Sequence, residues 1–128
     1  MLHDQLSNAL SNIMNHEKIG KSSCTVKSSK VIKKVLEIMQ ENKYLGSYEE
    51  KETTRGNDLN VNLIGSINKC GVIKPRHAVS YKNFVKFETR YLPAKDFGIL
   101  IVSTSKGIMT QIQANEKKIG GKLLAYCY

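Results

Sequence analysis

Tryptophan is missing from this chain of 128 residues, proline occurs twice, and cysteine and histidine three times each. Cys24, Cys70 and Cys127 are odd in number and widely separated. They fit neither a disulfide framework nor a C-x₂-C zinc spacing, so buried reduced thiols are expected. His3, His16 and His77 form no H-x₃-H or H-E-x-x-H pattern, which argues against a histidine metal site. No apolar run approaches the roughly 20 residues a membrane helix needs. The start, "MLHDQLSNAL", lacks the basic n-region and apolar centre of a signal peptide. A soluble protein that stays inside the cell is expected. There is no internal repeat and no low-complexity tract. Hydrophobic residues at 41% and charged residues at 24% argue against disorder. The length suits one domain or two very small ones.

Negative charge is also scarce, and unevenly so. The formal net charge is +9. Residues 1–58 hold nine Lys/Arg against eight Asp/Glu, whereas residues 59–128 hold eleven against three: Glu88, Asp96 and Glu116. Solubility gives no reason to crowd cations into one half. A polyanion does, and a nucleic acid would bind by releasing counterions.

What is present reads as alternating helix and strand. Leu2, Leu6, Ala9, Leu10, Ile13 and Met14 follow one helical face, with Asn8, Ser11, Asn12 and Asn15 off it. Asparagine is a mediocre helix former, so this cluster is either a solvated face or a set of hydrogen-bonding groups for something outside the fold. After Gly20, "KSSCTVKSS" predicts a strand with Cys24 and Val26 inward. Ser28 or Ser29 then caps a helix with Val31, Ile32, Val35, Leu36 and Met39 inside. The strands "GSYEEKET" and "LNVNLIG" follow, joined by a turn at Gly56-Asn57. Gly65-Ser66 is a hinge, dividing the chain into residues 1–65, α-β-α-β-β, and 66–128. In the second part Pro75 bars a central strand. Ser80 opens a helix bearing Phe84, Phe87 and Tyr91 at core spacing, ending before Pro93. "FGILIVST" is the central strand, Thr110 and Gln113 form a capping box for a short helix, and "KLLAYCY" is the last strand. The expected fold class is α+β: two small subdomains, the second an antiparallel sheet with short helices.

"IVSTSKGIMT" carries the chemistry. Ser103 and Lys106 match the S-x-x-K of serine acyl-transfer enzymes, but the serine closes a strand and the S-D-N and K-T-G partners are missing. One Lys-Gly pair does not make a phosphate-binding loop. A Ser/Thr-rich turn with only a structural role is common. Binding fits more residues. Hydroxyls donate and accept, and are compact enough to read base edges and 2′-hydroxyls in a shallow groove. Gly107 admits close approach of backbone, and Lys106 can meet a phosphate. Gly120, Gly121 and Lys122 repeat the pattern of bare backbone beside a cation.

"DFGILIVSTSKGIMT", "IGGKLLAYCY" and the upstream "INKCGVIKPR" together resemble the universal small-subunit ribosomal protein eight family, most nearly its archaeal and eukaryotic branch, over essentially the whole chain. The resemblance implies a non-enzymatic, cytoplasmic protein of the ribosome, without cofactor, metal or small-molecule substrate. It implies a primary binder of the central domain of small-subunit ribosomal RNA, active in assembly and translation. Other small-subunit ribosomal proteins are then its neighbours, no membrane is involved, and the free protein is a monomer. Carried across by position, the RNA-reading residues are Ser103, Thr104, Ser105, Lys106 and Gly107, with Gly120, Gly121 and Lys122 as a second wall. The first subdomain adds Asp4, Asn8 and Asn12, then Ser29 and Lys30. Three positions depart from the family pattern. Lys122 follows the Gly-Gly pair where many bacterial members have glutamate, Lys27-Ser28-Ser29-Lys30 lacks a proline, and Asp4 precedes Gln5 rather than proline. The competing expectation is a basic module that binds acidic protein or duplex DNA by charge alone.

Overall fold

The computed structural model describes residues 5–54, 56–74, 76–93 and 97–128. The chain divides into two compact units, Met1–Lys69 and Cys70–Tyr128. Asp4, Pro75 and most of the "PAKD" turn lie outside the described residues.

The first unit runs α1 (Gln5–Lys18), β1 (Ser23–Lys27), α2 (Lys30–Glu41), β2 (Leu45–Thr53) and β3 (Gly56–Leu63). Its antiparallel sheet has the order β1-β3-β2. Leu6, Ala9, Leu10 and Ile13 form the buried stripe of α1, and Cys24 and Val26 point inward from β1 while their neighbours are exposed. Ser29 caps α2, its Oγ accepting a hydrogen bond from the Ile32 amide at 3.1 Å. The apolar stripe of α2 differs from expectation at one end: Val31 is 37% exposed in the first turn, and Ile38 is buried instead. The hairpin also differs. Thr53 pairs with Gly56, and Gly56 at φ +112 begins β3 rather than occupying the turn.

The second unit contains β4 (Cys70–Val72), β5 (Ala78–Val79), a 3₁₀ turn (Tyr81–Asn83), α3 (Phe84–Tyr91), β6 (Ile99–Thr104), β7 (Gly107–Thr110), α4 (Gln111–Glu116) and β8 (Gly121–Cys127). The strand order is β4-β8-β6-β7, with β5 also on β8. β6 is central because Ile99, Leu100, Ile101 and Val102 are all buried, as a strand covered on both faces requires. Leu100, Val102, Met109 and Leu123 meet Phe84, Leu92, Ile73 and Ala114 in the core, with Phe87, Tyr91 and Tyr126 packed at its margin. Each fully buried side chain of this size contributes roughly 1.5–3 kcal/mol. The aromatic residues of α3 therefore serve packing. Ser80 makes no side-chain cap bond, since a 3₁₀ turn intervenes before α3. Thr110 and Gln113 do form the reciprocal capping box of α4.

The fold is α+β with two subdomains. Among the described residues, no helix is long and apolar enough to cross a membrane.

Candidate nucleic-acid interface

The hydroxyl run lies where β6 turns into β7. Ser105 and Lys106 are the two residues between the strands, and Thr104 pairs with Gly107. Neither loop residue has a positive φ; Gly107, at +114°, takes up the reversal of the chain. The Thr104 hydroxyl donates to the Gly107 carbonyl at 2.7 Å and accepts from the Lys106 amide at 3.2 Å. Its bonding capacity is largely committed to the turn. Ser105 is exposed and has no hydrogen-bond partner among the described residues. Ser103 is half-buried.

The first unit uses the same device: the Thr53 hydroxyl donates to the Gly56 carbonyl. The turn by itself therefore marks no site. Its surroundings do. Glu49, Glu50 and Glu52 lead into the first hairpin, whereas lysines gather near the second.

Strand register builds that gathering. Ser103 stands opposite Lys122 on β8 and Ile108 on β7, and Lys122 stands opposite Ala78 on β5. Partners in register share a sheet face, so the Ser103 hydroxyl and the Lys122 side chain emerge together. Thr104, opposite Gly121, belongs to the other face. A Cβ on Gly121 would lie 2.2 Å from the Ser103 carbonyl oxygen, and one on Gly120 would lie 2.4 Å from that of Val79. The missing side chains at both positions are thus used inside the protein, drawing β5, β6 and β8 together. Of these three glycines, Gly107 alone faces open space, with nothing within 4 Å of where its Cβ would be.

The sequence reading missed Lys117 and Lys118. They end α4 just before Gly120, and Lys118 adopts a left-handed conformation at φ +56 as its amide bonds back to Asn115. The signal was the Lys-Lys pair directly ahead of "IGGK". Lys106, Lys117, Lys118 and Lys122 are all exposed, and none is in an ion pair among the described residues.

Asn8 and Asn12 of the first unit line a groove of about 520 Å³ with Gln5, Thr25, Lys27 and Asp58, floored by Ala9 and Val26. Ser22 and Ser28 bond their backbone to β3, so the Thr25 peptide groups between them point to the free edge of β1. There the Asn12 amide donates to the Thr25 carbonyl at 3.2 Å. Lys27 and Asp58 pair at 3.4 Å across the groove wall. This groove is rich in amides and locally neutral, which suits hydrogen bonding to bases and sugars better than to phosphate. Ser29 and Lys30 follow directly from β1. Lys30 is exposed in the first turn of α2, where the helix dipole disfavours a cation.

The remaining reactive groups are engaged in packing. Cys24, Cys70 and Cys127 are buried, and burial pushes the Cys24 thiol above its ordinary pKa. His16 hydrogen-bonds the Asn12 carbonyl at 2.8 Å, and the His77 ring rests 5.3 Å from that of Phe87. Ser103 has no hydrogen-bonded base among the described residues. Among the described residues no three His, Cys, Asp or Glu side chains are grouped to hold a metal ion.

The structure therefore brings Ser103 to Gly107 together with Gly120 to Lys122 at one end of the second sheet, and Asn8 with Asn12 in one groove of the first unit. The family model described as ribosomal protein S8 matches residues 4–128.

Proposed function

Because the chain belongs to the ribosomal protein S8 family, small-subunit ribosomal proteins that bind ribosomal RNA, we propose that it is a primary binder of the central domain of small-subunit ribosomal RNA. In this reading it supports subunit assembly and translation in the cytoplasm as part of the ribosome. It is monomeric when free and touches neighbouring small-subunit ribosomal proteins in place.

The observation that carries the proposal is the row formed by exposed Ser105, half-buried Ser103 and exposed Lys122 at one end of the sheet, with lysines around it that are in no ion pair among the described residues. Ser103 and Ser105 supply hydroxyls for base edges and 2′-hydroxyls in a shallow minor groove. Lys106 and Lys122 neutralise phosphates. Thr104 and Gly107 set the turn that holds Ser105 out, and Gly120 and Gly121 let the strands close up behind it. Because Ser103 and Lys122 are held opposite each other by the β6–β8 ladder, little backbone ordering entropy is lost there on binding. Asn8 and Asn12 read a second, uncharged part of the RNA from their groove, with Ser29 and Lys30 beside it.

Competition between a bulged RNA hairpin from the central domain and an equal mass of random duplex DNA tests this. The hairpin is expected to be preferred, and Ser105→Ala to erode that preference. Equal competition by the DNA would favour a charge-only module instead.

A further inference from the structure

The outer face of α3 has no assigned role. Its inner face is Phe84 and Glu88, both buried, with Phe87 and Tyr91 half-buried beside them. Glu88, the one acid of the helix, is therefore turned inward at 8% exposure. The residues left outside are Lys82, Asn83, Val85, Lys86, Thr89 and Arg90, every one either neutral or cationic. Lys82, Lys86 and Arg90 recur at intervals of four through the 3₁₀ turn and α3, which places them along one side of the helix. None of the three is in an ion pair among the described residues, although Lys82 lies 6.0 Å from the Tyr81 ring.

The stripe begins at the hydroxyl edge. β5 pairs with the first residues of β8, and Gly120 packs against Val79 and Ser80 so closely that a Cβ would lie 2.9 Å from the Ser80 Cα. Gly121 in turn lies against Ser103. The contact order Ser103, Gly121, Gly120, Ser80 leads directly into Tyr81 and Lys82. From there the cations run toward the far end of the sheet, where Tyr91 stacks on Tyr126.

From this continuity we infer that Lys82, Lys86 and Arg90 form a track for the sugar-phosphate backbone of the helix flanking the bases bound at Ser103 to Ser105. The inference rests on the RNA-binding reading above. From Lys82 to Arg90 is eight residue steps, about 12 Å of helical rise, a span that covers several successive phosphates of one strand. A protein partner fits this face poorly: lysine is depleted from protein interfaces, and Val85 is the single apolar side chain available as an anchor. The track adds affinity and orientation without sequence information, while the hydroxyl edge supplies selectivity.

The test compares two bulged RNA hairpins, one trimmed to the irregular region and one with a flanking stem longer by a helical turn, across a salt series. The parent protein is expected to show a steeper log–log salt slope with the longer stem. The triple variant Lys82→Gln, Lys86→Gln, Arg90→Gln is expected to lower the slope by about 2–3 on the longer stem and to leave it nearly unchanged on the trimmed one. Selectivity over duplex DNA is expected to survive in the triple variant and to weaken in Ser105→Ala. Equal parent slopes on the two RNAs overturn the track, whatever the variant does; so does an unchanged slope in a triple variant whose melting curve matches the parent's. In either case the hydroxyl edge stands if the RNA preference persists. A parent protein that binds RNA and duplex DNA alike overturns the underlying reading and the track with it.

Discussion

Ser103 and Lys122 face each other across the β6–β8 ladder, so a hydroxyl and an ammonium group from distant parts of the chain project from the same sheet face. Directly opposed residues have Cβ atoms about 4.5–5.5 Å apart, close enough for one nucleotide to meet both groups. Ser103 pairs with Ile108 on its other side, so an apolar surface borders the pair.

Ser105 and Thr104 should separate affinity from stability. Ser105→Ala removes an exposed hydroxyl outside the turn's own bonding, and unfolding in urea is expected to change by no more than about 0.5 kcal/mol. RNA affinity should fall by about 1–3 kcal/mol, since a base edge would lose its partner. Thr104→Ala breaks the two bonds that shape the turn. It is expected to cost about 0.5–1.5 kcal/mol of stability. Urea titration with parallel RNA binding reads both.

Gly121→Ala and Gly107→Ala test two different demands for glycine. The first places a methyl 2.2 Å from a backbone oxygen in the sheet, and about 1–3 kcal/mol of destabilisation is expected as the strands move apart. The second meets no neighbour but puts alanine at φ +114. About 1 kcal/mol is expected there, from backbone strain. Little or no loss of stability in Gly121→Ala, measured by thermal melting, would mean that β6 and β8 are not held as closely as described.

Gln111 is a buried polar residue at 1% exposure whose Oε1 accepts from the Leu100 amide at 2.8 Å. Its side chain replaces a rung of the ladder just past the end of β7, and its Nε2 is buried with no partner among the described residues. Gln111→Ala leaves the Leu100 amide unsatisfied and opens a cavity. The expected loss is about 2–4 kcal/mol by denaturant unfolding.

Glu50 gives the first unit a pH dependence. The Lys33 ammonium, 2.5 Å from its carboxylate, and the Asn57 amide hold the Glu50 pKa below its ordinary value. A carboxyl lowered on folding stabilises the native state above its unfolded pKa, and that contribution is lost as pH falls through the lower folded value. Glu50→Gln should therefore flatten the acid side of the stability profile and leave the slope near neutral pH unchanged. The pair is exposed, so the difference should be small and shrink with added salt. Melting temperatures from pH 7 down to pH 2 provide the measurement.

Much of this was legible in one dimension. The α1 stripe, the inward Cys24 and Val26, the Ser29 cap and the Thr110–Gln113 box are local patterns, set by helical or strand periodicity and by the need to bond free backbone amides. The first hairpin turn was expected at Gly56-Asn57 because Asn-containing turns are common, while here a threonine hydroxyl closes the loop and the glycine starts the strand. Lys117 and Lys118 were overlooked because their value depends on where α4 returns to the sheet, and no local pattern carries that information.

The amino-acid order settled the main helices and the longer strands, most of the buried apolar positions, and that positive charge concentrates in the second half. Those properties follow from periodicity, capping and composition, which act over a few residues. Folding settled which distant residues stand side by side: β5 and β6 on opposite edges of β8, Ser103 across from Lys122, and the Lys82 stripe beginning beside Gly120. Such pairings arise from long-range strand register, fixed by which faces must be buried together and by glycines small enough to let backbones touch.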